Sequence, residues 1–128
     1  MANFKNIFGT NQISNIVQNF NWITMDSLGQ INEIIDNSEE QSVLIFKHST
    51  RCSVSRMALK QFENEFKGAQ DLDCYFLDLI KYREISNEIS QKFSVTHQSP
   101  QVLIIKSGTC TYNVSHSDIV AASIIEKI

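Results

Sequence analysis

The sequence predicts an α/β domain, a central mixed β-sheet with helices on both faces. Three observations predict it. Unbroken apolar runs at Val43-Leu44-Ile45-Phe46 and Val102-Leu103-Ile104-Ile105 have the length of strands and suit central positions covered on both sides. Segments with apolar residues at helical spacing alternate with strand candidates, which implies parallel pairing. Lys106-Ser107-Gly108-Thr109 reads as a hairpin turn and adds an antiparallel strand.

The elements follow in order. Ile13, Ile16, Val17 and Phe20 recur at helical spacing, so residues 1–20 are expected to form an extension with a short helix, and residues 21–128 the domain. Asn21 to Met25 is a short strand candidate holding the single tryptophan, Trp22. Asp26 or Ser27 can cap a helix with the stripe Leu28, Ile31, Ile34 and Ile35, which stops in the polar run Asp36 to Gln41. Ser42 to Lys47 is the first buried strand. A helix runs from HSTRC to about Phe66, with Val54, Ala58, Phe62 and Phe66 at steps of four, and Lys67-Gly68 ends it. Leu72 to Ile80 is rich in aromatic and branched residues and reads as a strand. Ile85, Ile89 and Phe93 mark a third helix. Pro100 opens the strand Val102 to Ile105, and the hairpin leads into Cys110 to Val114. Ser117-Asp118 caps a final helix with Val120, Ala121, Ile124, Ile125 and Ile128 inward. The order β-α-β-α-β-α-β-β-α is that of a thioredoxin-like domain.

A chain of 128 residues suits one domain with a single real core. Its net charge of −3 argues against a nucleic-acid partner, which needs a basic stripe. No apolar run approaches a membrane span, and no secretory signal pattern opens the chain, so neither a membrane nor an export route is expected. Three cysteines, separated by 21 and 35 residues, form no disulfide framework and no zinc pattern, which points to a reducing, cytoplasmic setting and to no metal. With four glycines and no Gly-rich phosphate loop, nucleotide binding has no support. Phe62, Phe66, Tyr75, Phe76 and Phe93 fall at core-facing periods.

The stretch HSTRCSVSR carries the chemistry. Cys52 falls where a buried strand turns into a helix, and the unpaired N–H groups and positive dipole end there stabilise an anion. A thiolate is such an anion and is the nucleophile of thiol–disulfide exchange. Arg51, Arg56, Lys47 and His48 favour it further where they face the sulfur. A free cysteine is usually a small buried hydrophobe, but Ser49, Thr50, Arg51, Ser53 and Ser55 make this a polar, open loop. A dithiol motif would place a second cysteine where Ser55 stands.

HSTRCSVS, followed 48 residues after Cys52 by Pro100 in HQSPQVLII, resembles the monothiol bacilliredoxins of the YtxJ type, with SHSDI at Ser115 to Ile119 in further support. The resemblance spans roughly Asn21 to Ile128. It implies a thioredoxin-like fold and one active cysteine, Cys52, that removes bacillithiol from the cysteines of client proteins. Ser55 maps onto the resolving position, and Ser53 stands where the family has proline. The resemblance also implies a cis Pro100 facing the nucleophile, with the backbone of Ser99 pairing an extended substrate. Thioredoxins carry a buried acid six positions before their first active cysteine; Phe46 stands there, in keeping with a monothiol mechanism.

The residues expected to contact substrate are Thr50, Arg51, Ser53, His97, Ser99 and Pro100. Ser55 is expected to offer its hydroxyl to the thiolate, and Arg51, Arg56, Lys47 and Lys106 to meet the malate carboxylates of bacillithiol. His97 is equally readable as a plain loop histidine, His48 as an orienter of the loop and His116 as part of a helix cap. Cys74 and Cys110 read as structural thiols away from Cys52. Bacillithiol, or another small thiol, is expected as co-substrate, with no tightly bound cofactor. Two alternatives belong to other classes. One is iron–sulfur cluster carriage, as in monothiol glutaredoxins, although CSVS lacks their glycine and aromatic residue. The other is a non-catalytic thioredoxin-like adaptor.

Overall fold

The computed structural model describes residues 20–66 and 72–128. The expected N-terminal helix and the Lys67-Gly68 stop lie outside these residues. The strands are β1 (Ile23–Thr24), β2 (Ser42–His48), β3 (Leu72–Asp78), β4 (Gln101–Lys106) and β5 (Thr109–Ser115). The helices are α1 (Gly29–Asn37), α2 (Ser53–Glu65), α3 (Arg83–Lys92) and α4 (Ala121–Ile125), with a 3-10 turn at His116–Asp118. The sheet order is β1-β3-β2-β4-β5. β2 runs parallel to β3 and antiparallel to β4, and β4 and β5 form the hairpin. Ser107 and Gly108 both take positive φ (50° and 77°), the conformation that suits a tight hairpin turn to the twist of its strands. Among the described residues, no helix is long and apolar enough to cross a membrane.

Alternation along β2 divides the core in two. Val43 and Ile45 face Met25, Ile31, Ile34, Leu77, Ile85 and Ile89, beneath α1 and α3. Leu44 and Phe46 face Phe62, Phe66, Val102, Ile104 and Ile124, beneath α2 and α4. Trp22 belongs to this second layer. Its ring stacks on Phe20 at 4.5 Å, and its Nε1 donates to Glu63 at 2.6 Å.

Several expected details differ. The first strand contracts to two residues. Neither Asp26 nor Ser27 caps α1; Gln30 Oε1 accepts their backbone N–H groups at 2.7 and 3.0 Å instead. Leu28 therefore precedes the helix and is exposed. Ser117 and Asp118 form the 3-10 turn, and the last helix is five residues long, with Val120 before it and Ile125 on its outer face.

The correction in α2 matters most for function. Steps of four residues advance about 400° each at roughly 100° per residue, so Val54 drifts about 80° from the face of Phe62. Val54 is accordingly 57% exposed. Ser55, seven residues before Phe62, falls within about 20° of that face, and it is fully buried.

Candidate active site

β2 ends at His48, and the loop Ser49–Arg51 leads to Cys52, the N-cap residue of α2. Cys52 accepts the N–H of Arg56 on its carbonyl at 3.1 Å and donates its own N–H to Ser49 O at 3.2 Å. Its thiol makes no capping hydrogen bond and is half-buried. The N–H groups of Ser53, Val54 and Ser55 open the helix and have no carbonyl one turn behind them. Thr50, Arg51 and Ser53 are exposed around the thiol, and Arg56 Nη1 donates to Thr50 O at 3.2 Å, tying helix to loop.

Beneath the loop, Ser55 Oγ accepts the Ser49 N–H at 3.0 Å and lies 2.8 Å from His48 Nδ1. Burial, and secondarily the charge of Arg56, push the His48 imidazole below its ordinary value of 6.5 against the opposing pull of Asp78. Burial therefore disfavours the charged imidazole, and the Ser55 hydroxyl and His48 Nδ1 share one hydrogen bond whose direction follows the ring's tautomer. The Ser55 side chain, expected to face the thiolate, is in contact with His48 and Ser49, because Ser55 lies on the inward face of α2. His48 also packs on Phe76, ring centres 5.4 Å apart.

The strand register brings the second half of the site to the same edge of the sheet. Gln101 pairs with Lys47, so Pro100 stands at the level of His48. The Ser99-Pro100 bond is cis. Pro100 is buried and its carbonyl accepts the His116 N–H at 3.0 Å, joining this turn to the 3-10 turn. Ser99 Oγ is buried without a hydrogen-bond partner among the described residues.

Two expected cations are misplaced for a substrate site. Lys47 shares the face of Val43 and Ile45, opposite His48, and is fully buried. Its Nζ bonds Ser90 Oγ and His97 Nδ1, each at 3.2 Å. Desolvation holds its pKa down to about 8. Lys106 follows Ile105, which pairs with Val43 at the far end of β2, so it stands at the opposite edge of the sheet from Cys52. Arg51 and Arg56 remain. His97 is an exposed loop residue whose Nδ1 is held by Lys47 and by Ser86 Oγ at 3.3 Å. Burial, then Lys47 and Arg83, lower its pKa.

Cys74 is buried in β3, and burial with the charge of Asp73 pushes its thiol up to about 12. Cys110 pairs with Ile105 at the far sheet edge, and burial raises its pKa as well. Asp78 closes β3 by accepting the N–H groups of Ile80 and Lys81 at 3.1 and 3.5 Å. Sequence reasoning missed the Lys47–His97–Ser90 cluster. A lysine two residues after Ile45, on the inward parity of a central strand, is the signal that marks it.

Comparison with known proteins agrees with this geometry. Residues 23–124 match the family described as monothiol bacilliredoxin BrxC. A solved oxidoreductase with a thioredoxin fold is 32% identical, with a TM-score of 0.71 over 81% of this chain and 90% of that one. Fasciola hepatica thioredoxin shares the fold at 17% identity and TM-score 0.61, over 82% of this chain and 94% of its own. Spinach chloroplast thioredoxin F does so at 16% identity and TM-score 0.63, over 94% and 93%. The match across most of the domain, on a fold that carries Cys52 at a helix start, shows that the chain is a thiol oxidoreductase and belongs to the monothiol bacilliredoxin family BrxC.

Proposed function

We propose that the protein removes bacillithiol from S-bacillithiolated client proteins through Cys52. The Cys52 thiolate attacks the bacillithiol sulfur of the client's mixed disulfide. The S–S bond breaks, the client sulfur leaves as a thiolate and takes up a proton, and bacillithiol stays on Cys52. A second thiol, bacillithiol or another reductant, then attacks that bacillithiol sulfur and releases Cys52. The client's mixed disulfide is exchanged for a small-molecule disulfide and one incoming thiol is replaced by the freed client thiol, so the electrons balance.

The observation that carries this reading is the pairing of a half-exposed thiol at the start of α2 with a serine at the resolving position whose hydroxyl is engaged with His48. Ser55 can form no disulfide, so Cys52 stays open to the second thiol. Arg51 and Arg56 are the cations suited to the malate carboxylates of bacillithiol. Thr50, Ser53, Ser99 and Pro100 line the approach of the client. Cys52, Cys74 and Cys110 are all unpaired, which supports a reducing, cytoplasmic setting. Bacillithiol is a co-substrate here, and no tightly bound cofactor is required.

The test is intact-protein mass after the reduced protein meets a bacillithiolated model protein, beside Cys52→Ser. Gain of one bacillithiol mass by the wild type, with matching loss from the client and no transfer in the variant, is expected. A wild type with reduced Cys52 that exchanges nothing overturns the reading.

A further inference from the structure

Cys52 chemistry makes no use of Lys47, yet this lysine is fully buried. Its charge faces Ser90 Oγ and His97 Nδ1, with desolvation the one resolved influence on it and no carboxylate in contact among the described residues. A buried ammonium without a carboxylate is costly, and such groups gather at functional sites.

The arrangement has a definite consequence for His97. An ammonium offers three donors and no acceptor, so the ring nitrogen facing it, Nδ1, must be the acceptor. The neutral imidazole then carries its hydrogen on Nε2, on the side of the ring away from Lys47. Ser86 Oγ, 3.3 Å from Nδ1 on a buried residue of α3, can donate to the same lone pair. Protonating His97 would set a second positive charge against Nζ, with Arg83 nearby adding to the repulsion.

The loop is held as firmly as the ring. Gln101 Nε2 donates to Thr96 O at 3.0 Å, and Gln101 Oε1 accepts the N–H of Gln98 at 3.4 Å. His97 lies between these two anchors, exposed, three residues before Pro100 and at the sheet edge from which the Cys52 loop departs.

We propose that Lys47 is a positioning residue that locks His97 as an outward Nε2–H donor for an acceptor oxygen of the bound mixed disulfide. The acceptor is a carbonyl or carboxylate, carried by the client chain or by the small thiol. The donor role rests on the Cys52 exchange reading; the lock itself does not.

The test has two arms. In protein labelled with 15N-histidine, His97 is expected as the neutral Nε2–H tautomer at pH 7. Lys47→Met should yield mixed tautomers and a higher His97 pKa, and Lys47→Gln, whose amide can still donate, should restore the wild-type pattern. In exchange kinetics, His97→Phe and Lys47→Met should raise KM roughly threefold to tenfold, the worth of one neutral hydrogen bond, with kcat changed less than about twofold. Lys47→Gln should recover KM. A client carrying a methylthio group, which has no oxygen, identifies the source. A KM effect that persists puts the acceptor on the client, and one that vanishes puts it on the small thiol. An Nδ1–H tautomer in the wild type, or unchanged KM with both substrates, overturns the proposal. Absence of exchange in the wild type overturns the Cys52 reading and the donor role with it, and the NMR arm, which needs no turnover, tells the two failures apart.

Discussion

Ser55 Oγ lies 2.8 Å from His48 Nδ1 while accepting the Ser49 N–H at 3.0 Å, so the serine of Cys52-Ser53-Val54-Ser55 ties the end of β2 to the start of α2. The residue at the resolving position thus holds the loop that presents Cys52. Ser55→Ala removes both bonds and leaves a half-buried N–H and a buried imidazole nitrogen unpaired. A loss of about 1–3 kcal/mol is expected, read from urea denaturation. An unchanged midpoint would show that the bond contributes nothing to the fold.

Acid should weaken the fold through His48. Its folded pKa is lowered from 6.5 by burial, so the unfolded chain takes up the proton first as pH falls. Stability is complete above 6.5 and declines as pH drops from there through the folded value. His97 is shifted in the same direction, so a difference measurement isolates His48. His48→Asn keeps a non-titrating hydrogen-bonding group near the Nδ1 position and should flatten the dependence between pH 6.5 and 5.

Thiol accessibility separates the three cysteines. Alkylation requires the thiolate, and Cys74, buried and pushed up to about 12, holds its proton. Cys110 is half-buried with a raised pKa. Brief iodoacetamide treatment of the native protein at pH 8 should add one label, at Cys52. Cys52→Ser should take none over the same interval, as intact mass will report.

Lys47 should destabilise the fold in a pH-dependent way. Below about pH 8 the folded and unfolded states are both protonated and the full cost of the buried ammonium is present. Between about 8 and 10.5 the folded state has released the proton and the unfolded state has not, so this cost fades as pH rises. Lys47→Met is expected to exceed wild-type stability by about 1–3 kcal/mol at pH 7 and to lose most of that margin by pH 10. A margin constant with pH would assign the difference to packing rather than to charge.

The sequence by itself determined the element order, the buried strands and the position of Cys52, because each is written in local pattern. The apolar runs at Val43–Phe46 and Val102–Ile105, the helical stripes between them and a cysteine at a strand-to-helix turn need no knowledge of distant contacts. Helix phase was less legible. Val54 and Ser55 are neighbours in the chain, yet a rotation of about 100° per residue sends one to solvent and the other beneath the loop. Tertiary structure alone decided the partners of the polar groups. Ser55 meets His48 beneath the loop, Lys47 meets His97 fifty residues on, and Lys106 stands at the wrong end of the sheet for substrate. The physical reason is that parity along one strand is written locally, as for Lys47 beside Ile45, whereas strand pairing between distant segments sets which polar groups meet and at which end of the sheet.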